Sequence, residues 1–312
     1  MSAAARGYLD AALDLLQQHA LRSASMDWPD LRRWARWLAS GAQRPADTYP
    51  AIQAVSARLE KHTSLLLPEE VAAHHVAPSP DMTVPTGHVI SGDLGLLTVP
   101  SFTMAQPVAQ TRYVQAGLDA VRRMDGAGVC GWLVDLRGNP GGSYGPMIGA
   151  VAPVLGDGLL GSFVRPDGST GTSWSLKNGV FTESDGSTST FATVPYRLKH
   201  PDAPIAVLTD RYTASAAEAT LISFRGRPDT RSFGQPTAGY PTGNASYTLS
   251  DGAVLVITVL TEADRTGHVY APDTPIPPDA AVPPGPSGEH TSDDPVLGPA
   301  EAWLHNQPAC TS

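Results

Sequence analysis

The sequence predicts an α/β fold with a helical region in front of it, and three observations carry that expectation. Before Pro68 the apolar residues recur at three- and four-residue spacing. After Gly87, short apolar runs alternate with helical patterns. Hydrophobic residues make up 41% of the 312, enough for a sizeable core and for one large domain with a smaller companion.

The elements follow in order. Residues 1–16 read as an amphipathic helix with Leu9, Leu13 and Leu16 on one face. Trp28-Pro29-Asp30-Leu31 opens a second helix carrying Trp34 and Trp37, and Ile52, Val55 and Leu59 mark a third from about Tyr49. The prolines from Pro68 to Gly87 predict a connector. Gly95-Leu96-Leu97-Thr98-Val99 then reads as a strand, residues 111–124 as a helix, and Trp132 to Leu136 as a buried strand ending in a glycine turn. A helix presenting Met147, Ile148 and Val151 should follow. Residues 162–191, rich in Gly, Ser and Thr, predict hairpins or a surface insertion. Ile205-Ala206-Val207-Leu208 is a second buried strand leading to a helix near Ala214, and residues 254–260 form a long β-branched strand. The expected division is a helical subdomain at 1–68, a connector at 69–88, an α/β core at 89–282 and a poorly ordered tail at 283–312, where Pro, Gly and Ser accumulate.

Two segments can carry chemistry. In Thr213-Ala214-Ser215-Ala216-Ala217-Glu218 a serine stands at a strand-to-helix junction, where helix-start N–H groups can meet a developing oxyanion. The same residues also suit a plain helix cap, with Glu218 closing a capping box. The turn Asp135-Leu136-Arg137-Gly138-Asn139-Pro140-Gly141-Gly142 can aim backbone N–H groups into a cavity or simply join a strand to a helix. It lacks the spacing of a phosphate-binding or dinucleotide-binding loop.

Together with Gly234-Gln235-Pro236-Thr237-Ala238-Gly239, Asp251 to Thr258 and Ile276-Pro277-Pro278-Asp279, these segments resemble, in order, the signature of the C-terminal processing, tricorn-core and nisin-resistance proteases. The resemblance implies a crotonase-like ββα-spiral core and Ser215 as the nucleophile of a peptidase. It also implies an oxyanion hole from the N–H groups of Gly141 and Ala216, since Pro140 has none. Gly142, Gly239 and Tyr240 would contact substrate. Tyr240 occupies the place where the main branch has a lysine base. The tricorn and nisin-resistance branches use an upstream histidine instead, and Leu59 to Leu66 resembles that segment, which makes His62 the general base. Glu218 and Asp273 are candidates for the acid that orients it, with Glu262 a further possibility, and His268 is a rival base. The 26 residues from Thr63 to His88 are too few for the PDZ domain of the main branch. A histidine base would also require the helical region to dock on the core as part of the active site.

Other acyl-transfer chemistry, an esterase or a peptide-tailoring enzyme, would use the same groups. So would a catalytically inactive peptide-binding relative retain them. A formal net charge of −9 without any basic run argues against nucleic acid as a partner, and the resemblance implies a peptide or protein substrate. His74-His75 lacks companion ligands at metal spacing, so neither metal nor cofactor is expected. The start has no basic segment followed by an apolar stretch, and no run approaches a membrane span, which predicts a cytoplasmic protein. Cys130, in an apolar run, reads as a buried inert thiol, and two cysteines suggest no disulfide framework.

Overall fold

The structure is a computed structural model that describes residues 1–74, 82–103, 106–186, 194–284 and 294–311. Helix α1 (Ala3–His19) starts where the Ser2 hydroxyl accepts from Ala5 N–H, and it buries Leu9, Leu13 and Leu16 on one stripe. Asp27 caps α2 (Trp28–Leu38) in the same way through Asp30 N–H, and α3 spans Tyr49–Leu59. Trp37 lies on the outer face of α2, 70% exposed.

These helices bury their apolar faces on a sheet to which their own segment contributes. Strand β1 (Ser64–Leu66) pairs antiparallel with the N-terminal end of the long strand β11 (Val254–Asp264). Leu9, Leu13, Ile52 and Leu59 pack with Leu255 and Ile257 of β11 in one cluster. Leu21 N–H donates to Thr258 O at 2.8 Å, and Thr258 N–H donates to the Thr63 hydroxyl at 3.0 Å. The first 66 residues are therefore built into the sheet that flanks the site.

The same sheet continues from β11 through β5 (Gly158–Val164), β6 (Thr170–Lys177) and β7 (Val180–Glu183), with β10 (Thr242–Thr248) also paired to β11. The hairpins predicted from the Gly, Ser and Thr content exist, and they form core: Trp174, Leu176 and Phe181 are almost fully buried.

A second sheet runs in the order β12 (Ala280–Ala281), β9 (Thr230–Gly234), β8 (Ile205–Thr209), β4 (Gly131–Asp135), β3 (Leu94–Thr98), β2 (Thr86–Ile90). All its pairings are parallel except β2 with β3. Helices cover a parallel sheet because its strands are apolar on both faces. Here α5 (Pro107–Gly126), α6 (Tyr144–Leu155) and α7 (Ala216–Phe224) supply the cover on one side. Met147, Ile148 and Val151 of α6 are fully buried, as their spacing predicts.

Three expectations change. The connector at 69–88 contains α4 (Pro68–His74) and most of β2; His75 lies outside the described residues. The end of the chain is not a poorly ordered tail over its described part. Helix α8 (Leu297–His305) packs Ala300 and Leu304 against Leu133, Ala206 and Leu208 on the other face of the parallel sheet. Finally, Cys130 and Cys310 are joined in a disulfide, so Cys130 is not a free thiol. Sequence spacing could not show this, because the pair is 180 residues apart and meets only when α8 docks beside β4. Among the described residues no helix is long and apolar enough to cross a membrane.

Candidate active site

Two strand ends of the parallel sheet, β4 and β8, carry the loops that meet at Ser215. The β4 loop is pinned from within. The buried Arg137 guanidinium pairs with Asp135 at 2.6 Å and with Asp294 at 2.8 Å, which ties the chain end to this turn. Asn139, also buried, donates to Val99 O at 2.8 Å and accepts from Gly141 N–H at 2.9 Å. The β8 loop is fixed by Thr213, whose hydroxyl donates to Leu136 O at 3.0 Å, and by Ala214 N–H, which donates to Asn139 O at 3.0 Å. The two loops are stitched face to face.

Ser215 has φ 53 and ψ −119. A helix cap sits in the extended region at negative φ, and non-glycine residues at positive φ are costly unless their surroundings hold them. What holds Ser215 is Glu218, fully buried, which accepts from Ser215 N–H at 2.8 Å. Its carboxylate also accepts from Gly239 N–H at 3.0 Å, Tyr240 N–H at 2.8 Å and the Thr237 hydroxyl at 2.5 Å. Burial raises the Glu218 carboxyl above the ordinary value, and these four hydrogen bonds pull against that rise. Glu218 thus locks the Ser215 turn to the 237–240 turn. It does not touch His62.

Gly141 lies directly under Ser215: a Cβ on it would come within 2.8 Å of Ser215 Cβ and 3.0 Å of Ala216 N, and its φ of +100 suits glycine alone. Its N–H is already committed to Asn139. The neighbouring Gly142, also at positive φ, lines the cavity beside Ser215, and its N–H has no hydrogen-bond partner among the described residues. Ala216 N–H begins α7 and so has no helical acceptor.

His62 is part-buried on the turn between α3 and β1. Glu60, buried, accepts from Arg22 N–H at 2.7 Å and from the Thr63 hydroxyl at 3.2 Å, and this shapes the turn. Asp273 accepts from Lys61 N–H at 3.1 Å and pairs with Arg22 at 2.8 Å. It therefore braces the residue next to His62 without bonding to the ring. The ring partner is one the sequence did not suggest. His62 Nδ1 and Thr242 Oγ1 are 2.8 Å apart, and Tyr240 packs on the ring with centroids 5.1 Å apart. Thr242 has no residue pattern to mark it. Burial lowers the His62 pKa to about 4, with the Asp273 charge opposing. His268 is exposed in the turn after β11, its N–H donating to Asp264 at 3.2 Å, and it is not among the residues lining the Ser215 cavity.

The resulting cavity has a volume of about 400 Å³ and is lined by Ser215, Ala216, Gly142 and Thr242 together with Tyr144, Phe163, Leu260 and the acidic residues Glu183, Asp185 and Glu262. Among the described residues, no group of His, Cys, Asp or Glu is arranged to hold a metal ion. Gly239, with φ +91, approaches Pro275 N so closely that a Cβ would come within 2.9 Å, which gives it a tight-turn role away from the cavity wall.

Residues 93–282 match the model of the peptidase family S41. The nisin-resistance protein of Lactococcus lactis subsp. lactis is 30% identical over 277 residues, 87% of this chain and 81% of that protein. A lipoprotein from Streptococcus agalactiae superposes with a TM-score of 0.78 at 26% identity, covering 97% of both chains. The photosystem II D1 C-terminal processing protease shares the fold, with a TM-score of 0.59 at 17% identity over 90% of this chain and 94% of the other.

Proposed function

This chain belongs to peptidase family S41, and on that premise we propose that it cleaves peptide bonds through an acyl-enzyme on Ser215, with His62 as general base. The observation that carries this reading is the positive φ of Ser215, held by Glu218 and stitched loops at a cavity whose wall, Thr242, also holds His62. A merely structural cap would relax to the extended region.

The groups have separable roles. When the Thr242 hydroxyl accepts from His62 Nδ1–H, the Nε2 lone pair is the one left to take the serine proton. The hydroxyl oxygen attacks the scissile carbonyl, and the imidazolium returns the proton to the leaving amine. The developing oxyanion is met by Ala216 N–H and by Gly142 N–H, with Asn139 holding Gly141 in the geometry that presents its neighbour. Glu218 and Asp273 are positioning residues: one fixes the nucleophile turn, the other the His62 turn. Tyr240 shields the imidazole. The parallel sheet with α5, α6 and α7 is read as the crotonase-like ββα-spiral, without an inserted PDZ domain. Because disulfides persist in oxidising compartments, the Cys130–Cys310 bridge favours a location outside a reducing cytoplasm over the cytoplasmic one expected from the chain start.

The test is covalent labelling by a fluorophosphonate with mass mapping of the adduct. Label on Ser215, lost in Ser215→Ala while that variant unfolds within about 1 kcal/mol of the wild type, is the expected outcome. If the variant instead loses its fold, Ser215 is a structural residue and the assignment is wrong.

A further inference from the structure

One buried group in the cavity has no use in this mechanism. Glu262 is 3% exposed, and its Oε2 has no hydrogen-bond partner among the described residues. An unpartnered carboxylate out of water is costly. Burial, with the Glu218 charge added, raises its carboxyl well above the ordinary range. Proteins seldom keep such a group unless something outside the chain completes it.

The surroundings say what that is. Glu262 and Leu260 are two apart on β11 and so share the face that lines the cavity with Ser215. Across the ladder Glu262 stands opposite Phe163, whose ring meets that of Tyr144 edge-on at 5.8 Å. Gly243 lets the Phe163 ring lie against its backbone, since a Cβ there would come within 2.8 Å of Phe163 Cδ1. The walls therefore combine the rings of Tyr144 and Phe163 and the aliphatic Leu260 with the polar side chains of Thr172, Thr242 and Asn244. No lysine or arginine is among the lining residues, which also include Asp185 and Glu183, the latter accepting from the Tyr144 hydroxyl. A cavity that joins aromatic and aliphatic surface to acidic residues suits a side chain with a methylene stem and a cationic tip.

On the reading that Ser215 forms the acyl-enzyme, we propose that this cavity is a specificity pocket for lysine or arginine at the residue whose carbonyl Ser215 attacks, with Glu262 as the counter-charge. The adjacency of the cavity to both Ser215 and Ala216 places it against the acyl-donating residue. An apolar side chain would fill the cavity and leave the carboxyl unsatisfied, which is the arrangement that discriminates most strongly between substrates.

The experiment uses a set of fluorogenic peptides identical except for that residue: arginine, lysine, norleucine, glutamine or glutamate. The wild-type kcat/KM for arginine or lysine is expected to exceed that for norleucine by about 10²-fold or more, and Glu262→Gln to reduce this ratio to below about 5. No preference over norleucine in the wild type, or a ratio preserved in Glu262→Gln, overturns the pocket. A measurement on the wild type alone guards against a misfolded variant. Butylguanidinium should slow fluorophosphonate labelling of Ser215 where pentan-1-ol at equal concentration does not, and equal effects of the two refute the counter-charge. Labelling of Ser215 without basic preference sinks this inference only. Absence of both labelling and hydrolysis sinks the peptidase reading and the pocket with it.

Discussion

The protonation of His62 offers the sharpest test of the geometry. An unperturbed imidazole has a pKa near 6.5, and burial lowers that of His62 to about 4. At pH 5.5 an ordinary histidine is neutral in only about one molecule in eleven, whereas one titrating at 4 is neutral in nearly all. The second-order rate of fluorophosphonate labelling of Ser215 reports the base without involving a peptide. From pH 8 down to pH 5.5 that rate should stay nearly flat, then fall towards pH 4, so at pH 5.5 it should exceed by about tenfold what an unperturbed base would give. The linked effect on stability has a definite sign. The unfolded chain takes up a proton at His62 as pH falls through about 6.5, and the folded chain does so only near 4. Folding is therefore weakened across that window, by at most about 3 kcal/mol once screening at a part-exposed ring is allowed for. His62→Gln should abolish labelling and flatten this part of the stability profile. A labelling rate that halves near pH 6.5 would refute the claim that burial governs the base.

Thr242→Val removes the hydroxyl at Nδ1 while keeping the side-chain shape; kcat should fall about 10- to 100-fold with little change in KM, stability should drop by about 1–2 kcal/mol, and Thr242→Ser should restore most of both. An unchanged kcat in the valine variant would remove Thr242 from the catalytic group. Tyr240→Phe keeps the ring that packs on His62, so kcat/KM should stay within about tenfold of wild type; a loss as large as that of His62→Ala would make the hydroxyl essential. Cys310→Ser opens a bridge spanning 180 residues, for which chain entropy alone suggests about 5 kcal/mol and ordinary experience 2–4. Chemical denaturation under non-reducing conditions should show that loss, and an unaltered midpoint would mean that α8 docks without the covalent tie.

What the sequence by itself determined lies in short segments. The stripe Leu9, Leu13, Leu16, the helix Tyr49–Leu59 and the strands β4 and β8 are legible because helix and strand periodicities are local properties of a few residues. The serine junction and the Asp135 to Gly142 turn are legible for the same reason: each is one contiguous run whose residue types suit an oxyanion site. Tertiary structure decided everything that depends on residues far apart in the chain meeting. Glu218 was a candidate to orient the histidine; the fold spends its carboxylate on four donors of the 215 and 237–240 turns. Gly141 was the expected donor, and the Asn139 side chain takes its N–H. Thr242 became the partner of His62 although 180 residues separate them, because β1 and β10 both pair antiparallel with β11 and so direct their N-terminal ends toward its C-terminal end. Glu262 sits unpaired in the cavity for a similarly non-local reason: register on β11 turns it to the same face as Leu260, opposite Phe163. A strand's register fixes which face each residue takes, and it is set by partners elsewhere in the chain, not by the strand's own residues.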